Sequence, residues 1–437
     1  MIDSVYFLMF PGWGTELRAN RWQWARQWAG AVPVVLVQPT QPRAPKTLRL
    51  ADSGLPNAQV LHVKSQSRTP TAAQAATATG QIAAHLESTG FERPLLWASN
   101  PRLLDAYRRL PASARVYHAT ENHFDMEWLD DEFLGPLRGA IESSDLTVAV
   151  SKGVARAIAS EVPGARVEEV SNGCDFAFYA GARPDAQLRS FSAPIAIYAG
   201  NINGRLDFAL LDRLAELRRE LTLVFVGPVR GLDRDDTRTW KTLLARPNVR
   251  HLGLVHPERL PGLYAAADVG LLPYKKEPLL VRNGFPLKAL EMAAAGLPLA
   301  STPLDSLVGL ATAIAVTKDD EGFVAATSVT RGSLSDADSA ALLEVARRND
   351  YAAKFAQVRG YVEEVAHELS PPPAESSSLQ AQWRAHASSR PVVAAAASAE
   401  RGRLALAGLV PKVLNDDLRE RVPAPLRRTF ARFLTPS

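Results

Sequence analysis

In the stretch Val281–Pro303, VRNGFPLKALEMAAAGLPLASTP, a lysine and a glutamate stand three residues apart just after a Gly284-Phe285-Pro286 turn. Pro286 suits the first turn of a helix, and a helix beginning there puts Lys288 and Glu291 on neighbouring positions. Helix starts carry free N–H groups and a positive dipole end that attract phosphate. A lysine beside them adds a point charge for a diphosphate, and a carboxylate can accept hydrogen bonds from both hydroxyls of a ribose. Taken alone, the same pair reads as a solvent-facing ion pair on an ordinary amphipathic helix.

Two further clusters lie in the N-terminal half. Phe10–Arg21, FPGWGTELRANR, follows an apolar run. Gly12 and Gly14 let backbone approach a ligand closely, Arg18 and Arg21 suit a phosphate or an anionic acceptor, and Trp13 suits a sugar platform. The spacing is not G-x-G-x-x-G, which disfavours a dinucleotide site. A glycine-rich turn under a packed helix bearing Trp22, Trp24 and Trp28 is the alternative. Tyr117–Asp131, YHATENHFDMEWLDD, gathers His118, Glu121, His123 and Asp125 after another apolar run. The spacing of His118, Glu121 and His123 matches no established metal site. Either His118 or Glu121 acts as base or charge partner near a scissile bond, with His123 on the acceptor side, or His118 is a strand-end structural histidine.

The elements that must position these groups alternate. Val5–Phe10, Val32–Val37, Val60–Val63, Leu95–Ala98, Arg115–His118, Thr147–Val150 and Val167–Val170 read as strands, with helices such as Trp22–Ala29, Thr71–Glu87 and Lys152–Ser160 between them. Ser151 fits a helix N-cap. After a turn-rich linker, Ser171–Ser192, the alternation resumes with strands at Ile195–Ala199, Leu223–Val226, Val249–Leu252, Val269–Leu272 and Leu299–Ser301, and helices at Asp207–Glu220, Pro257–Ala266 and Pro286–Ala295. This predicts two doubly wound α/β domains, residues 1–175 and 176–358, facing a cleft at the carboxyl ends of their strands. Residues 359–437 read as a linker and helical extension. There Ala424–Leu434 sets Leu426, Phe430, Phe433 and Leu434 on one face and arginines elsewhere. Such a helix either lies on an anionic membrane surface or packs back on the body.

Composition narrows the class. The 437 residues are 46% hydrophobic and 22% charged, an ordinary globular balance that excludes collagen-like, coiled-coil and wholly disordered chains. No run reaches the length of a membrane span, and the N-terminus reads as a strand rather than a signal peptide. The single cysteine, Cys174, excludes an internal disulfide framework and a CxxC site. A net charge of +4 with interspersed signs offers no nucleic-acid footprint. The expectation is a cytoplasmic protein, with the tail as a peripheral membrane contact.

Asn248–Tyr274, NVRHLGLVHPERLPGLYAAADVGLLPY, together with PLKALEMAAAGLPLAST, VSNGCDF and YAGNING, resembles the GT-B glycosyltransferases of the family-4 type. The resemblance implies two Rossmann-like domains and transfer of a sugar from a nucleoside diphosphate donor to a glycan or lipid-linked acceptor, in cell-surface polysaccharide assembly, with no cofactor or metal. It implies that Glu291 holds the donor ribose, that Lys288 and Arg205 neutralise the departing diphosphate, and that Leu254 and Val255 read the nucleobase. It also implies donor contacts from the phosphate loop bearing Asn203 and from Gly284, Phe285 and Pro286. The family's E-x7-E motif begins at Asn283 here, which can hydrogen-bond a sugar hydroxyl but cannot serve as a charged nucleophile. The aspartate pairs Asp130-Asp131 and Asp319-Asp320 fall in helix-prone or loop contexts, not at a strand end as a DxD metal motif would. The rivals are a catalytically silent sugar-nucleotide-binding or scaffold protein of the same fold and a sugar-nucleotide epimerase.

Overall fold

The computed structural model describes residues 1–8, 12–13, 18–39, 49–64, 71–126 and 129–367. All lie in one compact unit, Met1–Pro373. Gly14 and the terminal segment Ala424–Leu434 fall outside the described residues.

Two sheets organise it. The first holds β1 (Ser4–Leu8), β2 (Val34–Pro39), β3 (Arg49–Asp52), β4 (Ala58–Val63), β5 (Pro94–Ala98), β6 (Ala114–Ala119), β7 (Leu146–Ala149) and β8 (Val167–Glu169). Their order is β3-β4-β2-β1-β5-β6-β7-β8, parallel except for β3. The second holds β9 (Ile195–Ala199), β10 (Thr222–Val226), β11 (Val249–His251), β12 (Val269–Leu272), β13 (Leu299–Ser301) and β14 (Ile314–Val316). Their order is β11-β10-β9-β12-β13-β14, all parallel. Each sheet reverses its winding once, at β1/β5 and at β9/β12. Ligands of doubly wound sheets sit at such switch points.

The central strands read as unbroken apolar runs because helices cover both faces. In β1, Val5 and Phe7 enter one core while Tyr6 and Leu8 enter the other. Helix Asn20–Ala29 turns Trp24 and Trp28 onto Trp97 of β5, ring centroids 5.5 and 6.4 Å apart. Ser151 caps helix Lys152–Glu161 by accepting from the Val154 N–H. After the second sheet the chain returns to the first. Helix Tyr351–Val365 buries Tyr351, Val358 and Val362 beside Trp24 and Trp28, and so runs straight through residue 358, where the sequence suggests a boundary.

Several elements escape periodicity. The four-residue edge strand β3, RLAD, is polar at both ends, and β14 has three residues. The linker contains two helical turns, Phe176–Tyr179 and Ala186–Arg189. The segment Pro257–Ala266 divides into a 3-10 turn, Pro257–Arg259, and a helix from Leu260, at whose second position Pro261 has no N–H to give. No helix among the described residues is long and apolar enough to cross a membrane.

Candidate functional site

At the carboxyl ends of β9, β10 and β11 stand three glycines with positive φ: Gly200 at 145°, Gly227 at 131° and Gly253 at 70°. They interlock, the Gly227 N–H donating to the Gly253 carbonyl at 2.7 Å and the Gly200 N–H to the Val226 carbonyl at 2.8 Å. A Cβ on Gly227 would run into the Gly200 carbonyl. His251 packs on Trp240 and bonds the Gly227 carbonyl through Nε2 at 2.8 Å, so it shapes this floor.

Lys288 reaches this floor at the β9/β12 switch point. Its Nζ donates to the Tyr198 and Tyr274 hydroxyls at 3.1 and 3.2 Å and lies 4.4 Å from the Tyr198 ring centroid. Burial opposes the charge, and the two phenol oxygens more than offset it, so the ammonium stays protonated. Lys288 belongs to helix Leu287–Ala294, whose N-cap is Pro286 and whose start no side chain caps.

Glu291 lies one turn on. Burial raises its carboxyl above the ordinary range, against the opposing pull of the nearby Tyr179 hydroxyl, the Lys288 charge and the Tyr264 hydroxyl. The turn before the helix is pinned at both carbonyls. Ser306 Oγ donates to Gly284 O at 2.6 Å, and Asn172 Nδ2 donates to Phe285 O at 2.8 Å. Phe285 packs against the second core. Asn203 forms a side-chain turn, its Oδ1 accepting from the Arg205 N–H at 3.1 Å, which orients the loop after β9. Leu254 is 74% exposed beside Gly253, and Val255 is half-buried.

The first lobe faces this site with the carboxyl end of β6. Glu121 accepts from Arg205 Nη2 at 3.2 Å, so the arginine bridges the lobes. Asn283 Nδ2 is 3.3 Å from Asp125 Oδ2, and the Asn283 carbonyl accepts from Ser151 Oγ at 3.1 Å. Gly153 permits this approach, because a Cβ there would run into Asn283 Oδ1 and the Arg282 carbonyl. His118 is fully buried between Trp24 and Trp97, edge-on to both, and neither ring nitrogen has a hydrogen-bond partner in the protein. Burial, with Arg21 adding to it, depresses its pKa to about 3, which leaves it neutral. Burial also lowers His123, with Glu121 opposing and Arg21 reinforcing the shift. Arg21, His118, Glu121 and His123 therefore share one electrostatic neighbourhood.

Other residues singled out in the sequence have different surroundings. Trp13 is buried at 6% exposure, its indole N–H donating to the Ser53 carbonyl at 2.8 Å, so its ring belongs to the core. Gly12 leaves space beside Gln38, whose Oε1 accepts from the Trp13 N–H. The Arg18 guanidinium is engaged with Asp175 and Glu258. Asp130 and Asp319 cap helices at Asp131–Glu142 and Asp320–Ala326. No group of three or more His, Cys, Asp or Glu placed to hold a metal occurs among the described residues. Cys174 is buried with its thiol pushed up, first by burial and then by Asp350.

Sequence reasoning did not single out Tyr179, Tyr198, Tyr264, Tyr274, Gly200 or Gly227. A signal for the glycines was present, since β9, β10 and β11 are each followed within two residues by a glycine. The tyrosines gave none, because each meets its partner only across the fold.

Residues 193–330 match the family Glycosyl transferases group 1. TuaH of Bacillus subtilis (strain 168), named provisionally as a teichuronic acid biosynthesis glycosyltransferase, is 31% identical over 144 residues, 32% of this chain and 35% of that protein. The alpha-galactosylglucosyldiacylglycerol synthase of Streptococcus pneumoniae (strain ATCC BAA-255 / R6) is 33% identical over 114 residues, 25% of this chain and 29% of that protein. The chain thus spans about a third of the length of these relatives. Among solved structures, an E. coli trehalose-6-phosphate structure bound with UDP-2-fluoro glucose superposes with TM-score 0.61 at 14% identity, covering 85% of this chain and 100% of that one. Anabaena HepE in complex with UDP superposes with TM-score 0.58 at 16% identity, covering 83% and 100%. The fold is GT-B, and the match to the Glycosyl transferases group 1 family falls within its second lobe.

Proposed function

We propose that this chain is a GT-B glycosyltransferase that moves a sugar from a nucleoside diphosphate donor to a glycan or lipid-linked acceptor in cell-surface polysaccharide or glycolipid assembly. The carrying observation is the Lys288 ammonium, held by two tyrosines over Gly200 at the β9/β12 switch point with Glu291 one turn away. The relatives named for teichuronic acid and diacylglycerol glycoside synthesis support the substrate class. HepE, bound to UDP, supports a nucleotide donor.

In this reading the donor ribose sits on Glu291, the base lies against Leu254 and Val255, and the diphosphate meets Lys288, Arg205, the loop of Asn203 and the helix start after Gly284-Phe285-Pro286. Gly12 lies in the first-lobe loop after β1, and Arg21 and His123 face the acceptor. The bond from the sugar anomeric carbon to the diphosphate breaks with its electron pair leaving on phosphate, where cationic groups stabilise it. The acceptor oxygen forms the new bond and gives its proton to Glu121. That carboxylate is freed when the diphosphate draws Arg205 away. His118 stays neutral in the core behind the site and takes no proton. Asn283 binds a sugar hydroxyl at the lobe contact. The two lobes close on the donor, no metal is required, and the chain works in the cytoplasm, with the segment Ala424–Leu434 meeting the membrane face.

The test incubates purified protein with UDP-, GDP- and ADP-sugars and glycan or glycolipid acceptors. Mass spectrometry should detect a hexose-sized gain on one acceptor, and Lys288→Ala should abolish it. Nucleotide binding without any product would favour the silent binding protein. An isomerised sugar nucleotide formed from donor alone would favour the epimerase.

A further inference from the structure

Arg18 joins three parts of the protein. Its backbone φ of 59° is left-handed, a conformation that a side chain with a Cβ adopts only when its surroundings impose it. The guanidinium donates through Nη1 to Asp175 Oδ2 at 3.1 Å, in the linker. Through Nε and Nη2 it reaches Glu258 Oε1 at 2.9 and 2.8 Å, in the second lobe. It also lies 3.3 Å from the ring centroid of Phe178, in the linker turn Phe176–Tyr179, and 5.4 Å from that of Trp22. Arg26 engages the same Asp175 oxygen. Two arginines and two carboxylates cancel, so Arg18 has no surplus charge for a phosphate.

The linker turn bears a second duty on its next residue. Phe178 lies under Arg18, while the turn packs against helix Leu287–Ala294, which carries Glu291, with Tyr179 buried in the same core. The far end of the turn is fixed by the Phe176 N–H donating to Asp350 Oδ2 at 2.8 Å. One helical turn thus touches both the clamp from the first lobe and the helix that bears Glu291.

We infer that Arg18 is a positioning residue for nucleotide binding: by gripping the linker turn and Glu258 it holds that turn, with Tyr179, against the helix that carries Glu291 and ties that helix to contact between the lobes. This rests on the reading of Glu291 as the ribose ligand. The arm to Asp175 is the stronger one, since both side chains are mostly buried, at 18% and 11% exposure, whereas Glu258 is 56% exposed. Lysine would keep the charge but lose the planar stack on Phe178 and the forked donation.

The test measures binding of UDP, GDP and ADP by calorimetry to wild type, Arg18→Ala, Arg18→Lys, Tyr179→Phe and the Arg18→Ala/Tyr179→Phe double variant. Arg18→Ala should weaken the preferred diphosphate about 5-fold or more, Arg18→Lys nearly as much, and the double variant little beyond the worse single one, as coupled residues do. In turnover, the donor KM should rise with kcat nearly unchanged. Unchanged affinity in Arg18→Ala, multiplying losses in the double variant, or a fall in kcat alone would overturn the inference. If Arg18→Ala does not fold, Glu258→Gln, which spares the aromatic stack, must still weaken binding measurably, and wild-type affinity there would overturn it. Wild type binding none of the three diphosphates would instead sink the nucleotide-site reading, and this inference with it.

Discussion

The Lys288 ammonium lies 2.5 Å from the place a Cβ on Gly200 would occupy, and the Tyr198 hydroxyl 3.3 Å from it. The loop after β9 therefore has a glycine for two reasons, its φ of 145° and the lysine packed directly on its backbone. Gly200→Ala should strain the turn and push the ammonium off its two tyrosines. Nucleoside diphosphate affinity should fall about 10-fold, a loss near 1.4 kcal/mol, measured by calorimetry. An alanine variant that folds and binds as tightly as wild type would remove Lys288 from the site.

Glu291 makes donor affinity pH-dependent. Its carboxyl is raised by burial, so it takes up a proton at a higher pH than an exposed glutamate. The protonated form offers ribose a poorer acceptor, so affinity should weaken as pH falls through the raised value. For folding the sign is opposite: a raised acid pKa favours the fold at low pH, and the stabilisation is lost as pH rises through it. Glu291→Gln should accordingly bind weakly, lack the acid-side fall in affinity that wild type shows, and melt no lower than wild type on the alkaline side.

His118 should make the fold acid-sensitive. Its folded pKa of about 3 lies below the unfolded value near 6.5, so between them the unfolded chain binds the extra proton. Stability is then lost as pH falls below 6.5, by roughly 1.4 kcal/mol per pH unit from this group. His118→Phe keeps an edge for Trp24 and Trp97 without the titration. Between pH 7.5 and 5 it should lose roughly 2 kcal/mol less than wild type in urea unfolding. Equal losses would mean the imidazole is solvated.

Gly153 sets how closely the lobes meet. Gly153→Val places carbon where Asn283 Oδ1 and the Arg282 carbonyl now stand. The variant should show a larger radius of gyration in solution scattering and at least about 10-fold lower kcat, as expected when lobe closure assembles the site. Nucleoside diphosphate binding to the second lobe should survive. Unchanged turnover would separate this contact from catalysis.

The legible parts of the site were those encoded within a few residues. The strand runs IAIYA and TLVFV, the Ser151 cap and the Lys288–Glu291 pair announce themselves by period, capping chemistry and spacing. Contacts made across long separations did not. Arg18 meets Asp175 and Glu258, 157 and 240 residues away, and on sequence alone looks like a free anion ligand. Trp13 looks like a loop platform, yet its N–H is taken by Ser53, 40 residues on. The tyrosines around Lys288 and Glu291 lie on three elements and the loop after β12, and only the fold brings them together.

The central claim is that the floor of Gly200, Lys288 and Glu291 binds a nucleoside diphosphate-sugar. It is tested most directly by thermal melting of wild type and Glu291→Ala with UDP-, GDP- and ADP-sugars. At about a hundred times its dissociation constant the true donor should stabilise wild type by roughly 2.7 kcal/mol, a clear rise in melting temperature. The account predicts that rise for one nucleotide class and its loss in Glu291→Ala. No rise with any donor, or an equal rise in the variant, would contradict it.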